Sequence, residues 1–408
     1  MENTTPTTTP TLAQQAAARD AGTARRSGDF VHNTQEMDRD FSNVSARWIE
    51  NGTTPIQEVA EATAQLAEEC TDIQAMPSAM TFDHEGGKLR VPDFDEPIGF
   101  TERGLDMIAT WLKVARGTVH DLWFAGDEES REIFARLLNR GLARHASDRT
   151  SPFLLRLRGA ECRAVFSDRF QAVDNDWVVE TLGKLMPGSR VSHLRADGDS
   201  ISGMILIPDS IREEQDSDYG GGVHFANSEV GESKIQIQPA VFRAICQNGC
   251  IWGEAKGGEL IRRFHTGNLK LDELATAMDA LIRASIPLTT RCIDVMLRSK
   301  EIRLTSKIDA LRVVASARLR LTQAERRAWV EGWLEEGRDE TAFGLIQGLT
   351  RSARHEKSGS GAQLERMAGD LCGWSGTKWH RAEAAASDFE REELNKVLTP
   401  ELVTTALS

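Results

Sequence analysis

The chain has 408 residues, with 49 Lys and Arg against 62 Asp and Glu and a formal net charge of −13. That length accommodates two or three domains, and that balance argues against a surface that coats nucleic acid or an anionic membrane wholesale. Of six cysteines only Cys246 and Cys250 lie close together, which suggests neither a disulfide framework nor a zinc ribbon, and no apolar run nears the roughly 20 residues of a membrane span.

Residues 1–55 open "MENTTPTTTPTLAQQAAARDAGTARRSGDF", rich in Thr and Ala with few large apolar groups, and read as a disordered tail. Residues 56–150 read as a helical flank. Ile56, Val59, Ala62 and Leu66 recur at helical spacing behind Thr54-Pro55. Thr101 caps a second helix with Leu105, Ile108, Leu112 and Ala115 inward, and a third helix runs from Glu129 to Arg144.

The texture changes at Ser151, and residues 151–255 read as an α+β core. "SPFLLRLRGAECRAVFSDRF" alternates and breaks at Gly159, a hairpin pattern; "DNDWVVETLGKLM" is a helix capped by Asp174 or Asn175; "RVSHLRADGDSISGMILI" is a second hairpin turning at Asp197-Gly198. "DSIREEQDSDYGGG" reads as an acidic mobile surface loop. "GVHFANSEVG" then sets the polar triplet Asn227-Ser228-Glu229 in a strand before "SKIQIQ". A two-residue Gly231-Glu232 turn would pair Glu229 with Lys234, Asn227 with Gln236 and Ala226 with Ile237. His224, Ala226 and Ser228 would then share a face with Ile235 and Ile237, opposite a polar face of Asn227, Glu229, Lys234 and the two glutamines. "PAVFRAICQNG" reads as a short helix between Pro239 and Gly249, with Arg243 outward; an Asn248-Gly249 hairpin turn is the rival. From residue 256 to 408 helical spacing dominates, broken at "HEKSGSGA". The fold class is therefore α+β: a central antiparallel sheet with packed helices, a helical N-terminal flank and a helical C-terminal region.

Three blocks, "LRLRGAECRAVFSDRF", "NSEVGESKIQIQPAVFRAICQNG" and "TAFGLIQGLTRSARHEKSGSGAQLERMAGDL", resemble in this order the phage/plasmid-like protein family, a domain of unknown function found on bacteriophages, plasmids and integrated elements. The likeness implies a mobile-element setting; the sparse cysteines make the bacterial cytoplasm the expected compartment. The strand-strand-helix-strand order of the core is also similar to phage single-strand annealing proteins, which implies single-stranded DNA as partner and a homo-oligomer.

Basic residues concentrate where that reading needs them. From Arg136 to Phe170 there are eight Lys/Arg against three Asp/Glu. Arg136, Arg140 and Arg144 form a stripe at four-residue spacing. A two-residue Gly159-Ala160 turn would place Arg156 directly opposite Arg163, with Arg158 on the same face, a costly arrangement unless an anion lies between them. Those six arginines and Arg169 are the candidate phosphate contacts. The bland alternative is a solvated face neutralised by Glu161 or Asp168. Asn227, Glu229, Lys234, Arg243 and Asn248 are assigned to a structural polar face.

Two rival functions stay open. Pro208-Asp209 followed by Glu232-Ser233-Lys234 matches a short nuclease pattern in which Asp209 and Glu232 would hold Mg²⁺; the same spacing at Glu254-Ala255-Lys256 shows how easily it arises by chance. A structural or host-interaction protein without nucleic-acid affinity is the other. No cofactor is expected for the favoured reading, since "YGGGVH" and "GSGA" lack the Lys-Ser/Thr of a phosphate loop.

Overall fold

The computed structural model describes residues 53–408 except 86, 93, 149–150, 215–216, 244–247, 252–260, 264, 266–268, 317–318 and 356–359. Most of the expected disordered tail lies outside these. The fold is α+β, and the chain divides into two compact units: residues 65–172 belong to one, and residues 53–64, 173–265 and 269–408 to the other. Strand β1 (Thr54–Pro55) leads into α1 (Ile56–Glu68), as the start signal predicted. Ile56, Val59 and Thr63 are the buried stripe of α1, while Leu66 is exposed.

The first unit contains β2 (Cys70–Ala75), β3 (Thr81–Asp83), β4 (Lys88–Arg90), β5 (Gly99–Phe100), α2 (Glu102–Trp111), α3 (Arg116–Val119), α4 (Glu128–Asp148), β6 (Phe153–Arg158) and β7 (Glu161–Ser167). Its main sheet has the order β2-β6-β7-β5, antiparallel except for β5 beside β7, and β3 and β4 form a separate hairpin. The stretch read as purely helical thus also carries four strands. Each is short or mixed in polarity, so its strand character comes from the partner it pairs with more than from its own pattern. The two helices expected within it form, but Ala115, expected inward, lies beyond the end of α2 and is exposed, and the short α3 is an addition. The Thr101 hydroxyl accepts from Gly104 N at 3.0 Å, and Leu105, Ile108 and Leu112 are buried. Gly104 is also a contact point: a Cβ there would lie 2.2 Å from the Cys162 carbonyl, so α2 seats on β7 because this residue has no side chain.

The first hairpin turns at Gly159-Ala160, with φ +54° at Gly159, and pairs Arg158 with Glu161 and Leu157 with Cys162. A bulge then intervenes, and Arg156 faces Ala164, Leu155 faces Val165 and Leu154 faces Phe166. Arg163 is the extra residue, so the expected opposition of Arg156 and Arg163 does not form. Val165 joins Phe153, Leu155, Leu157 and Cys162 in the core, and Phe166 stacks on Phe170 at 3.7 Å.

The second unit contains α5 (Asn175–Leu185), β8 (Arg190–Ala196), β9 (Ser200–Glu213), β10 (Asp218–Ser228), β11 (Ile235–Arg243), β12 (Asn248–Ile251) and β13 (Ile261–Arg263). They form an antiparallel sheet of order β1-β8-β9-β10-β11-β12, with β13 also on β11. The β8–β9 hairpin turns where expected: Asp197 Oδ1 accepts from the backbone of Asp199 and Ser200, and Gly198 has φ +83°. Of the stretch read as an acidic loop, residues 209–213 are instead the far end of β9 and 218–222 the start of β10, with 215–216 outside the described residues. "PAVFRAICQNG" is not a helix: Pro239–Arg243 continue β11, and Arg243 pairs with Asn248 in β12. A hairpin does join β11 to β12, but Asn248-Gly249 lie in its second strand, and residues 244–247 fall outside the described ones. An apolar run buried on both faces has no alternation to separate strand from helix, which is why its pattern misleads.

Helices complete the unit: α6 (Leu271–Arg298), α7 (Lys307–Ala315), α8 (Gln323–Glu335), α9 (Ala342–His355), α10 (Ser360–Cys372), α11 (Gly376–Ala386), α12 (Arg391–Leu398) and α13 (Pro400–Leu407). They enclose a core around Trp329, Trp333 and Trp379, which Tyr219 and Val241 of the sheet enter. Helix α6 packs on β10 and β11. A Cβ on Gly221 would fall 2.1 Å from Thr289 Cβ, so the glycine run "YGGG" is a seat for α6.

The pairing of β10 with β11 settles the place of the polar triplet. Ala226 faces Gln236, Phe225 faces Ile237 and His224 faces Gln238, one residue away from the register of a two-residue turn. A slip of one residue exchanges faces. Phe225 and Asn227 therefore share a face with Ile235 and Ile237, and His224 and Ala226 share the other with Gln236 and Gln238.

Candidate functional site

That second face is where polar chemistry gathers. Across the sheet Arg195 faces Ser202, Ser202 faces Ala226, and Ala226 faces Gln236; in the next row Met204, His224 and Gln238 stand side by side. Helix α10 lies over this face. His193 Nδ1 is 3.2 Å from Glu365 Oε1, Arg195 Nη1 is 3.4 Å from Glu365 Oε2, and Arg366 Nη2 donates to Gln236 Oε1 at 2.9 Å. Arg195 Nη2 also donates to the Ala353 carbonyl at 3.2 Å. His193 occupies a bulge of β8 between Ser192 and Arg195, with φ +52°. A side chain other than glycine held in this left-handed region stores of order 1 kcal/mol or more of strain, and such strain and bulges concentrate at functional sites.

Glu365 is fully buried. Burial acts to raise its pKa, but the His193 hydrogen bond and the charges of His193 and Arg195 outweigh that effect and hold the carboxyl below its ordinary value. An ionised carboxylate only accepts, so His193 carries its proton on Nδ1. His224 is also fully enclosed, and burial pushes its pKa down to about 3, against the opposing pull of Glu365. It is neutral at pH 7. Gln238 Nε2 donates to its Nδ1 at 3.4 Å, which fixes the His224 proton on Nε2.

Residues 163–396, more than half of the chain and the whole of this cluster, match the family described as Domain of unknown function (DUF932). The chain belongs to this family. No curated protein and no solved structure matches it. The part that matches DUF932 begins inside β7, so the arginine stripe of α4 lies outside it.

The residues singled out from the sequence separate into exposed and buried groups. On α4, Arg136, Arg140 and Arg144 are exposed; Arg136 pairs with Glu132, and Arg144 Nη2 donates to the Leu112 carbonyl at 2.7 Å. Arg169 is exposed and Arg158 half-buried. Arg156 and Arg163 are buried: Arg156 Nε donates to Asp72 Oδ1 at 2.9 Å across β2–β6, and Arg163 Nη2 meets Cys70 Sγ at 3.2 Å. Neutralisation of the hairpin thus comes from Asp72 of β2, not from Glu161 or Asp168, and these two arginines are structural ties.

Asn227 and Glu229 hold the start of α5. Asn227 Nδ2 donates to the Val173 carbonyl at 2.8 Å and to Asn175 Oδ1 at 2.9 Å, and Glu229 Oε1 accepts from Asn175 N at 2.8 Å. A carboxylate on the free N–H groups of a first helical turn also meets the positive end of the helix dipole. The expected pairing of Glu229 with Lys234 is absent from the ladder, whose described register starts at Ala226 and Gln236. Lys234 is half-buried after the turn. Arg243 pairs with Glu336 at 3.2 Å and sits over the Phe343 ring, and Asn248 is its backbone partner in β12.

Asp209 and Glu232 do not form a metal pair. Glu232 Oε2 lies 3.4 Å from Ser200 Oγ, at one end of β9, and Asp209 is near the other. The nine residue steps from Ser200 to Asp209 span about 30 Å at strand rise. Among the described residues no three His, Cys, Asp or Glu side chains are placed to hold a metal ion. Among them also, no helix is long and apolar enough to cross a membrane.

Sequence reasoning missed His193, Arg195 and Glu365, and placed Gln238 on a polar face but not beside His224. His193 and Glu365 are 172 residues apart, so no local spacing links them. The one available signal was "IQIQ" beside His224, whose alternating glutamines mark a polar sheet face once the register is correct.

Proposed function

We propose that the protein binds nucleic acid, single-stranded DNA foremost, in the recombination or replication of a phage or plasmid within a bacterial cytoplasm. The observation that supports this most is the exposed arginine stripe of α4, Arg136, Arg140 and Arg144, in a chain that is acidic overall. A local cationic track in an acidic protein is a selective electrostatic footprint, because the remaining surface repels a polyanion. Arg169 extends the set of exposed contacts. Resemblance to annealing proteins adds self-association to this reading.

Fluorescence anisotropy with single- and double-stranded oligonucleotides at two salt concentrations tests it. Wild type binds the single strand more tightly, with affinity falling as salt rises. In Arg136→Gln/Arg140→Gln/Arg144→Gln the slope of log K against log salt decreases by about 2, three phosphate contacts each releasing about 0.7 counterion. An unchanged slope removes α4 as the phosphate site.

A further inference from the structure

The sheet face under α10 carries hydrogen-bonding capacity that the fold itself does not use. Nε2 of His193 and Nε2 of His224 have no hydrogen-bond partner among the described residues, although the His193 side chain is only 4% exposed and His224 only 1%. Buried polar atoms are ordinarily satisfied, so two such atoms in one cluster point toward a ligand. His224 presents an N–H, since Gln238 already occupies its Nδ1. His193 presents a lone pair when neutral and an N–H when protonated, since Glu365 already takes its Nδ1 proton. Arg195, with 27% of its side chain exposed, is the edge of the cluster that opens to solvent. Glu365 is the acidic member, and its charge is shared between His193 and Arg195. Gly361, in the first turn of α10, lets the helix close on the guanidinium: a Cβ there would lie 3.1 Å from Arg195 Nη2 and 2.7 Å from the Ala353 carbonyl.

We propose that His193, His224 and Arg195 form a binding site for a small oxyanion of the phosphate class, free or carried as a monoester on a nucleoside. The three contribute donors, and Glu365 fixes the geometry of two of them. A planar guanidinium suits phosphate oxygens, and an acceptor-only ligand matches donors that lack acceptors. The groups facing His193 are Arg195 on β8, His224 on β10, Gln236 and Gln238 on β11, and Glu365 and Arg366 on α10. With Nδ1–H committed to Glu365, His193 donates from Nε2 as imidazolium. This inference is independent of DNA binding by α4.

Isothermal titration of the full chain with inorganic phosphate, and separately with a nucleoside 5′-monophosphate, tests the site at constant ionic strength. At least one ligand gives a single saturable site. Binding of the monophosphate alone identifies an esterified phosphate; binding of inorganic phosphate identifies a free one. Arg195→Gln and His193→Gln, each shown folded by circular dichroism, weaken binding at least roughly tenfold, the scale of one lost charge-assisted contact. If His193→Gln does not fold, Arg195→Lys, which keeps the charge and loses the fork, carries the same expectation. Absence of saturable heat with either ligand overturns the site, as does full affinity in the Arg195 variants.

Discussion

Replacing Glu365 by Gln perturbs the cluster with almost no change of shape. The carboxylate is fully buried, 3.2 Å from His193 Nδ1 and 3.4 Å from Arg195 Nη1. Removing one partner of a buried ion pair costs about 3–5 kcal/mol. Arg195 is partly exposed and keeps the Ala353 carbonyl, and His193 can lose its charge, so the expected loss is smaller, about 2–3 kcal/mol. For a unit of this size that corresponds to a fall in Tm of about 5–10 °C. The pH dependence is the sharper test. Glu365 has a folded pKa below its ordinary value of 4.5, so the stability it contributes is fully present above that value. It is lost as pH falls through the folded pKa, where wild type also becomes neutral at this position. Thermal unfolding followed by circular dichroism should show the gap between wild type and Glu365→Gln at pH 7 and its closure in acid. Equal Tm values at pH 7, or a gap that persists unchanged at acid pH, would refute the assignment of Glu365 as an ionised keystone.

Two further substitutions test the frame around the site. Asn227→Ala leaves the Val173 carbonyl and the Asn175 side chain without their donor, and loses about 1–3 kcal/mol in denaturant unfolding; no loss would mean that the triplet does not hold α5. Gly221→Ala drives a methyl against Thr289 of α6 and costs about 1–3 kcal/mol or more by overpacking, read from the same unfolding curve; a neutral result would contradict the close seating of α6 on β10.

Helices with a cap and a stripe were the most readable part of the chain. Thr101 with Leu105, Ile108 and Leu112 specifies α2 within a dozen residues, and Asp197-Gly198 specifies its turn, because both signals are local. Register was harder. The turn after Glu229 is longer than two residues, and one residue is enough to move His224 from the isoleucines to the glutamines. The bulge at Arg163 did the same to the first hairpin, turning an apparent pair of opposed arginines into two buried ties, one to Asp72 and one to Cys70. Arg136, Arg140 and Arg144 were readable as a stripe, since helical spacing alone puts them on one face and exposure there needs no tertiary partner. The His193–Glu365 contact depends on the packing of α10 over β8, which no spacing in the sequence encodes.

Hydrogen–deuterium exchange of the full chain with and without a single-stranded oligonucleotide tests the central claim most directly. DNA bound along the arginine stripe protects peptides covering residues 128–148. Protection confined to other peptides, or none at low salt with the oligonucleotide in excess, would contradict the claim that α4 is the nucleic-acid contact.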